Sequence, residues 1–416
     1  MEERLFTQEE EWAKRVLVRL PGIRERDPWP ALDRQPIGPD SRQRVHLVIL
    51  GFDPYAEALV VHAALVAHYP NFRPEEAEPI RSRITIVNND GEEWEAPFIS
   101  RYKPLFENSF WRRVERGNVV TQYHAPAYHG KRKAFTDVEW EFIHADPEGT
   151  FVQGQLEAWA ANPDEQLTVA VSGSGDADNL HWCRQLPPSL TKTQVPVLLR
   201  QNETGLVGQA GLEGNVHLFG MAGAEPEMTR LLSEMGKRVN YLYTCFAGEG
   251  VIPVTFPPEA VERAWWEKCS PRMRRSSICC VMGITPKLRS LGHDARDVDA
   301  YYTLTETEAG LLARTEHYRW CTERLIAGYR PCTEAERAAI GRNIEQILEA
   351  RRTGQEPPEN LKEKFKEKDI HYDLCAYDEL GPDASGRDVK RYDFDVVAGI
   401  PLILKPALSV SRRGNG

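Results

Sequence analysis

The apolar and polar positions of this chain fall into repeated strand–helix units over its first half and into helices over its second. Val45-His46-Leu47-Val48-Ile49-Leu50 is a nearly continuous apolar run, the pattern of a strand buried on both faces, and it turns through Gly51, Phe52 and Asp53 into an apolar helix ending near His68-Tyr69. A second such run is Arg83 to Asn88. Leu167 to Val171 ahead of Ser172-Gly173-Ser174-Gly175, Val195 to Leu199 ahead of Arg200, and Val216 to Phe219 ahead of Gly220 continue the series. The alternation predicts an α/β domain over 45–224, built on a doubly wound parallel, Rossmann-like sheet.

The flanks read differently. Thr7 to Leu20 predicts an amphipathic helix with a Thr7/Glu10 capping box, apolar residues at Trp12, Val16 and Leu20, and a stop at Pro21-Gly22. Four prolines and a glycine between Asp27 and Asp40 predict an extended linker, so 1–44 forms a helix and proline-rich lead-in. Residues 90–150 are irregular and aromatic and read as an insertion; within them Thr136 to Ile143 alternates as a β-hairpin would, and His124 and His129 make a poor metal pair. Past Pro226 the period becomes helical: a bridging helix from Met228 to Tyr243 within 225–258, then Glu259–Lys268, Ser277–Leu291 and Leu304–Ala327 in a helical domain over 259–408. That domain carries a charged insertion at 333–368 and is followed by a tail at 409–416.

Composition narrows the function classes. The 416 residues are 41% hydrophobic and 27% charged, enough for two or three domains. A net charge of −10 argues against a nucleic-acid partner. There is no run of eighteen apolar residues and the first residues are charged, so a cytoplasmic protein with no membrane insertion is expected. Eight cysteines without a C-x-x-C pair read as reduced, buried thiols, and no metal is expected.

The densest chemistry is Glu316-His317-Tyr318-Arg319-Trp320, followed by Gly328-Tyr329, His371-Tyr372-Asp373-Leu374 and Tyr377-Asp378-Glu379-Leu380, with Arg274-Arg275-Ser276-Ser277 upstream. A tryptophan beside an arginine and a carboxylate can stack a flat ligand, grip its phosphate and orient a hydroxyl; equally, Trp320 can be core and Glu316 a partner for Arg319. Together these segments, from about Trp265 to Leu404, resemble the RyR domain, the small helical module repeated in ryanodine receptors and found in bacterial proteins. The resemblance implies a regulatory sensor rather than an enzyme, binding a phosphorylated adenine-type small molecule through Trp265, Arg274, Arg275, Glu316, His317, Arg319, Trp320, His371 and Tyr377. By fold analogy it points to bacterial stress or anti-phage signalling.

The first half is similar to the TrkA-type NAD-binding domain, whose positions map onto Gly51, Asp53, Tyr55, Asn88, Ser172, Gly173 and Arg200. NAD or an adenine nucleotide is the cofactor this implies. The glycine fingerprint is degenerate, because Asp53 and Ala56 stand where glycines belong and Asp53 sets a negative charge at the helix start that should attract phosphate. Ordinary NAD binding is therefore expected to be weak. The rival classes are an enzyme acting on NAD or a nucleotide signal, and an oligomeric assembly protein or soluble regulator of a membrane transporter. A homo-oligomer is expected; the assembly reading would use the Thr7–Leu20 helix and the Glu334–Lys368 segment as its contacts, while the helix otherwise packs on its own domain and the segment is otherwise a solvated arm.

Overall fold

The computed structural model describes residues 7–20, 29–89, 92–115, 119–126, 133–203, 214–249, 256–293 and 304–404. An amphipathic helix α1 (Gln8–Leu17), capped by the Thr7 hydroxyl on the Glu10 amide, precedes the sheet. Then follow β1 (Arg44–Leu50), α2 (Pro54–Val66), β2 (Ser82–Asn88), α3 (Glu92–Arg101), α4 (Lys103–Asn108), β3 (Trp111–Glu115), β4 (Val119–His124), β5 (Val138–His144), α5 (Thr150–Ala161), β6 (Glu165–Val171), α6 (Asp176–Arg184), α7 (Pro188–Lys192), β7 (Val197–Arg200) and β8 (Val216–Phe219). They form one eight-stranded sheet in the order β4-β3-β5-β2-β1-β6-β7-β8, parallel throughout except for the β3–β4 hairpin.

The parallel strands β5-β2-β1-β6-β7-β8 have the order of a doubly wound dinucleotide-binding sheet. The switch point lies between β1 and β6. Within 90–150, β5, expected as part of a hairpin, is the strand that pairs in parallel with β2, and the antiparallel hairpin is β3–β4. The basic stretch Tyr128 to Arg132 and the stop at Pro21-Gly22 lie outside the described residues.

Alternate residues of the central strands feed two cores. Leu47, Ile49, Ile84, Ile86, Trp140 and Phe142 face one side, while Val48, Leu50, Val87, Ile143, Val169 and Val171 face the other, under α5, α6 and α7. The helical half adds to the first side. It comprises α8 (Glu227–Glu249), α9 (Pro258–Arg263) running into a π-turn at Ala264–Lys268, α10 (Pro271–Met282), α11 (Ile284–Ser290), α12 (Glu306–Ile326), β9 (Arg330–Pro331), α13 (Glu334–Thr353), α14 (Leu361–Lys366), β10 (Ile370–His371) and α15 (Lys390–Ala398). The helix expected over Ser277–Leu291 is two helices meeting at Gly283, where a Cβ would lie 2.6 Å from Lys287 Nζ.

Helix α2 joins the sheet to the helices around it: its N-terminus lies at the switch point, and its body packs against α1, α10 and α12. Phe72, just beyond it, meets Tyr318 of α12 edge-on at 5.0 Å. The proline-rich segment is also committed to the core. Trp29, Leu32 and Ile37 are buried, the Trp29 indole donates to the Leu218 carbonyl at 2.9 Å, and Asp33 pairs with Arg289 of α11 at 2.9 Å. It is a strap between the sheet and the helical half, not a free linker. Among the described residues no helix is long and apolar enough to cross a membrane.

Candidate functional site

The switch point is closed by the chain itself. Gly51 (φ +87°) brings β1 so near β6 that a Cβ there would lie 2.8 Å from the Gly173 Cα, and a Cβ on Gly173 would lie 2.6 Å from the Trp182 ring. Above this floor, at the N-terminus of α2, where a dinucleotide fold receives pyrophosphate, stands the Asp53 carboxylate. It caps the helix by accepting from the Ala56 amide (2.8 Å), accepts from the Ser172 hydroxyl (2.7 Å), and faces Arg200 at 3.5 Å. Burial pushes its pKa above the ordinary carboxylate value, against the pull of Ser172, Ala56 and Arg200.

Arg200 is almost fully buried, lies over the Tyr55 ring at 5.0 Å, faces Asp176 at 3.5 Å and donates to Asn202 at 2.8 Å. Asn88, at the end of β2, turns its side-chain oxygen back to the Asn89 amide. The seven positions of the nucleotide reading thus lie at the C-terminal ends of β1, β2, β6 and β7, but the negative charge at their centre is Asp53.

In the helical half the motif splits into an inner and an outer layer. The inner layer is ionic. Glu316, Arg319 and Lys287 are each at most 2% exposed; Glu316 pairs with Arg319 and Lys287 at 2.8 Å each, and Arg319 faces Glu323 at 3.7 Å. Burial raises the pKa of Glu316, but the two cations outweigh it and hold it at about 2. Arg319, expected to take a ligand phosphate, is consumed by this network. Trp265 is buried core. Arg274 lies over Trp265 and Trp266, and Arg275 lines a small pocket with residues of α1 and α2, so neither joins the cluster at Trp320.

The outer layer is aromatic: Trp320 and Tyr377 are partly exposed, while His317, Tyr329 and His371 are buried behind them. The 333–368 segment leaves through β9 and returns through β10, whose two-residue parallel pairing sets Tyr329 beside His371 (ring centroids 5.8 Å). That segment carries its own small core of Cys332, Ile340, Ile344 and Ile370. Trp320 stacks on His317 (5.7 Å) and receives the edge of His371 (4.8 Å), while Tyr377 meets the other motif histidine, His317, at 5.7 Å. Arg324 lies over both Trp320 and Tyr329, and Arg272, exposed, donates to the Tyr329 hydroxyl at 3.0 Å. His317 bonds the Cys375 carbonyl at 2.8 Å and faces Asp393 at 3.3 Å. Burial drives the His371 pKa down to about 3, so its ring is neutral. The cations over the Trp320 and Tyr329 rings are Arg324, which the sequence did not single out, and Arg272, which stands in sequence with Arg274 and Arg275 as a basic cluster at a helix start and is the member of that cluster that reaches these rings.

A third constellation also escaped the sequence. Glu165, Arg44, His46, Arg83, Thr85, Glu139, Glu141 and Arg112 form a charged ladder across β6, β1, β2, β5 and β3. Glu165 meets His46 at 2.5 Å, His46 meets Thr85 at 2.8 Å, Thr85 donates to Glu141 at 3.0 Å, and Glu141 pairs with Arg112. The first three have the connectivity of an acid–base–nucleophile relay. Yet His46 and Thr85 are fully buried and the Thr85 proton is spent on Glu141, so the chain is a structural ladder. Its Arg44, Arg83, Arg112, Glu139 and Glu141 floor an open groove of about 1460 Å³ whose rim carries both signs of charge, including Arg73, Glu75, Glu78 and Lys133. The signal in sequence was a polar residue at alternate positions in the first halves of otherwise apolar strands: Arg44 and His46, Arg83 and Thr85, Glu139 and Glu141.

All eight cysteines are free, and only Cys245 is not buried. Comparison with family models, with characterised proteins and with solved structures finds no match for this chain.

Proposed function

We propose that this protein is a ligand-responsive regulator whose helical half, a RyR-type module, takes a phosphorylated adenine-type small molecule on the Trp320 face. The α/β half, a TrkA-type domain in this reading, is a nucleotide-binding scaffold whose own phosphate seat is filled by Asp53. The observation that carries the reading is the partly exposed Trp320 ring, backed by the buried Tyr329 and His371 rings, with Arg324 and the exposed Arg272 over them. Aromatic faces bind a base by stacking, and guanidinium groups beside them bind phosphate. Coupling follows from α12, which carries Trp320 and packs on α2, which ends at Asp53. The cytoplasm is the compartment this role requires.

The test is thermal stability against ATP, ADP-ribose, cyclic ADP-ribose and NAD, for the wild type, Trp320→Ala and Arg272→Ala. A ligand that binds the native state raises the midpoint by mass action, by about 2.7 kcal/mol of stability at a hundredfold excess over Kd. One of these compounds is expected to raise the midpoint, with affinity about tenfold weaker in Arg272→Ala and lost in Trp320→Ala. A midpoint indifferent to every compound, or a shift that both variants retain, sinks the reading.

A further inference from the structure

We propose that β4 is the contact through which two copies of this chain pair, edge to edge and antiparallel, about a two-fold axis between Thr121 and Gln122. β4 pairs with β3 alone and ends the sheet, and among the described residues no strand pairs with its outer row of amides and carbonyls. Val119, Val120 and Tyr123 are 55%, 49% and 65% exposed, and they are three of the five large hydrophobic side chains exposed among the described residues. Soluble proteins guard an open edge with lysines, prolines or inward charges. Val119 to His124 has none of these, and its valines, threonine and tyrosine are strong strand formers.

The occupant follows from charge and register. A strand without charge meets its own copy without the repulsion that a net charge of −10 imposes on most other faces of this chain. Antiparallel pairing about the stated axis sets Val119 opposite His124, Val120 opposite Tyr123 and Thr121 opposite Gln122, each pair occurring twice. Aromatic residues opposite β-branched ones are among the favourable cross-strand pairs.

The irregularity inside the hairpin serves the same match. Arg112 pairs with Tyr123 and Val114 with Val120, the register slipping at Thr121. Arg112 and Val114 lie on one face of β3, so Val120 and Tyr123 share one face of β4 although they are three residues apart. In the dimer these four side chains, two from each copy, make a single apolar patch on one face of a sixteen-stranded sheet.

Six residues a side bury less than a standard interface, so the pairing is a concentration-dependent equilibrium in about the micromolar range. Light scattering after size exclusion, over loading concentrations of about 1–100 μM, is expected to move from the 47.3 kDa of one chain toward twice that mass. Val120→Lys with Tyr123→Lys is expected to weaken association at least about tenfold, with an unchanged thermal midpoint at low concentration, where both forms are monomers, because both side chains are exposed. In a second arm, Val120→Cys with Tyr123→Cys should form an intermolecular disulfide under mild oxidant, since the register sets the two positions opposite each other. A chain that stays monomeric throughout, or a dimer untouched by the lysine pair and giving no cross-link, overturns the proposal.

Discussion

Glu316→Gln is expected to lower the unfolding free energy by about 3–5 kcal/mol, the cost of leaving a buried charge without its partner. The substitution keeps the size of the side chain and removes only the charge, and what remains is Arg319 and Lys287, both buried, with Glu323, 3.7 Å from Arg319, the one other carboxylate paired with either among the described residues. Urea unfolding at neutral pH measures the loss. The pH dependence gives an independent check. Glu316 has its folded pKa depressed to about 2 from an ordinary 4.5, so its contribution is fully present above pH 4.5 and is lost as pH falls toward 2. Wild type and variant should therefore differ most above pH 4.5 and converge below it. A variant within about 1 kcal/mol of wild type at neutral pH would be the behaviour of an exposed pair. It would return Glu316 and Arg319 to the role of ligand contacts.

That outcome also bears on what a sequence can disclose. The i,i+3 spacing of Glu316 and Arg319 was visible, and so was the choice between a ligand grip and a buried pair. The deciding residue was not, because Lys287 arrives from another helix and fits only where Gly283 leaves room for it. Strands β1, β2 and β6 were legible because burial on both faces leaves an almost unbroken apolar run. Strand β5 was read as a hairpin because Glu139 and Glu141 interrupt its apolar residues, and the cations that neutralise them come from β1, β2 and β3. The strap at 29–40 was masked by its prolines. They do prevent regular structure, but they do not prevent Trp29, Leu32 and Ile37 from being buried. The meeting of Tyr329 with His371 rests on two-residue strands, too short for any periodicity to reveal.

Asp53→Asn is expected to open an anion seat at the switch point at a modest cost in stability. Asparagine caps a helix about as well as aspartate, so the bonds to the Ala56 amide and the Ser172 hydroxyl survive, and the loss is the Arg200 pair at 3.5 Å. With Asp176 still 3.5 Å from Arg200, the cost is on the order of 1–2 kcal/mol. The gain is electrostatic. The wild-type carboxylate competes with any phosphate for the α2 N-terminus and for a nearly buried guanidinium; the variant presents both to solvent-borne anions. Pyrophosphate and NAD are expected to bind the variant at least about tenfold more tightly than wild type, which titration calorimetry measures directly. Arg200→Gln in the same background should abolish the gain, since it removes the cation and leaves only the helix end. Equal affinity in wild type and Asp53→Asn would mean that Asp53 does not hold the seat of a phosphate, and the first half would then be a scaffold whose switch point has no remaining anion site to uncover.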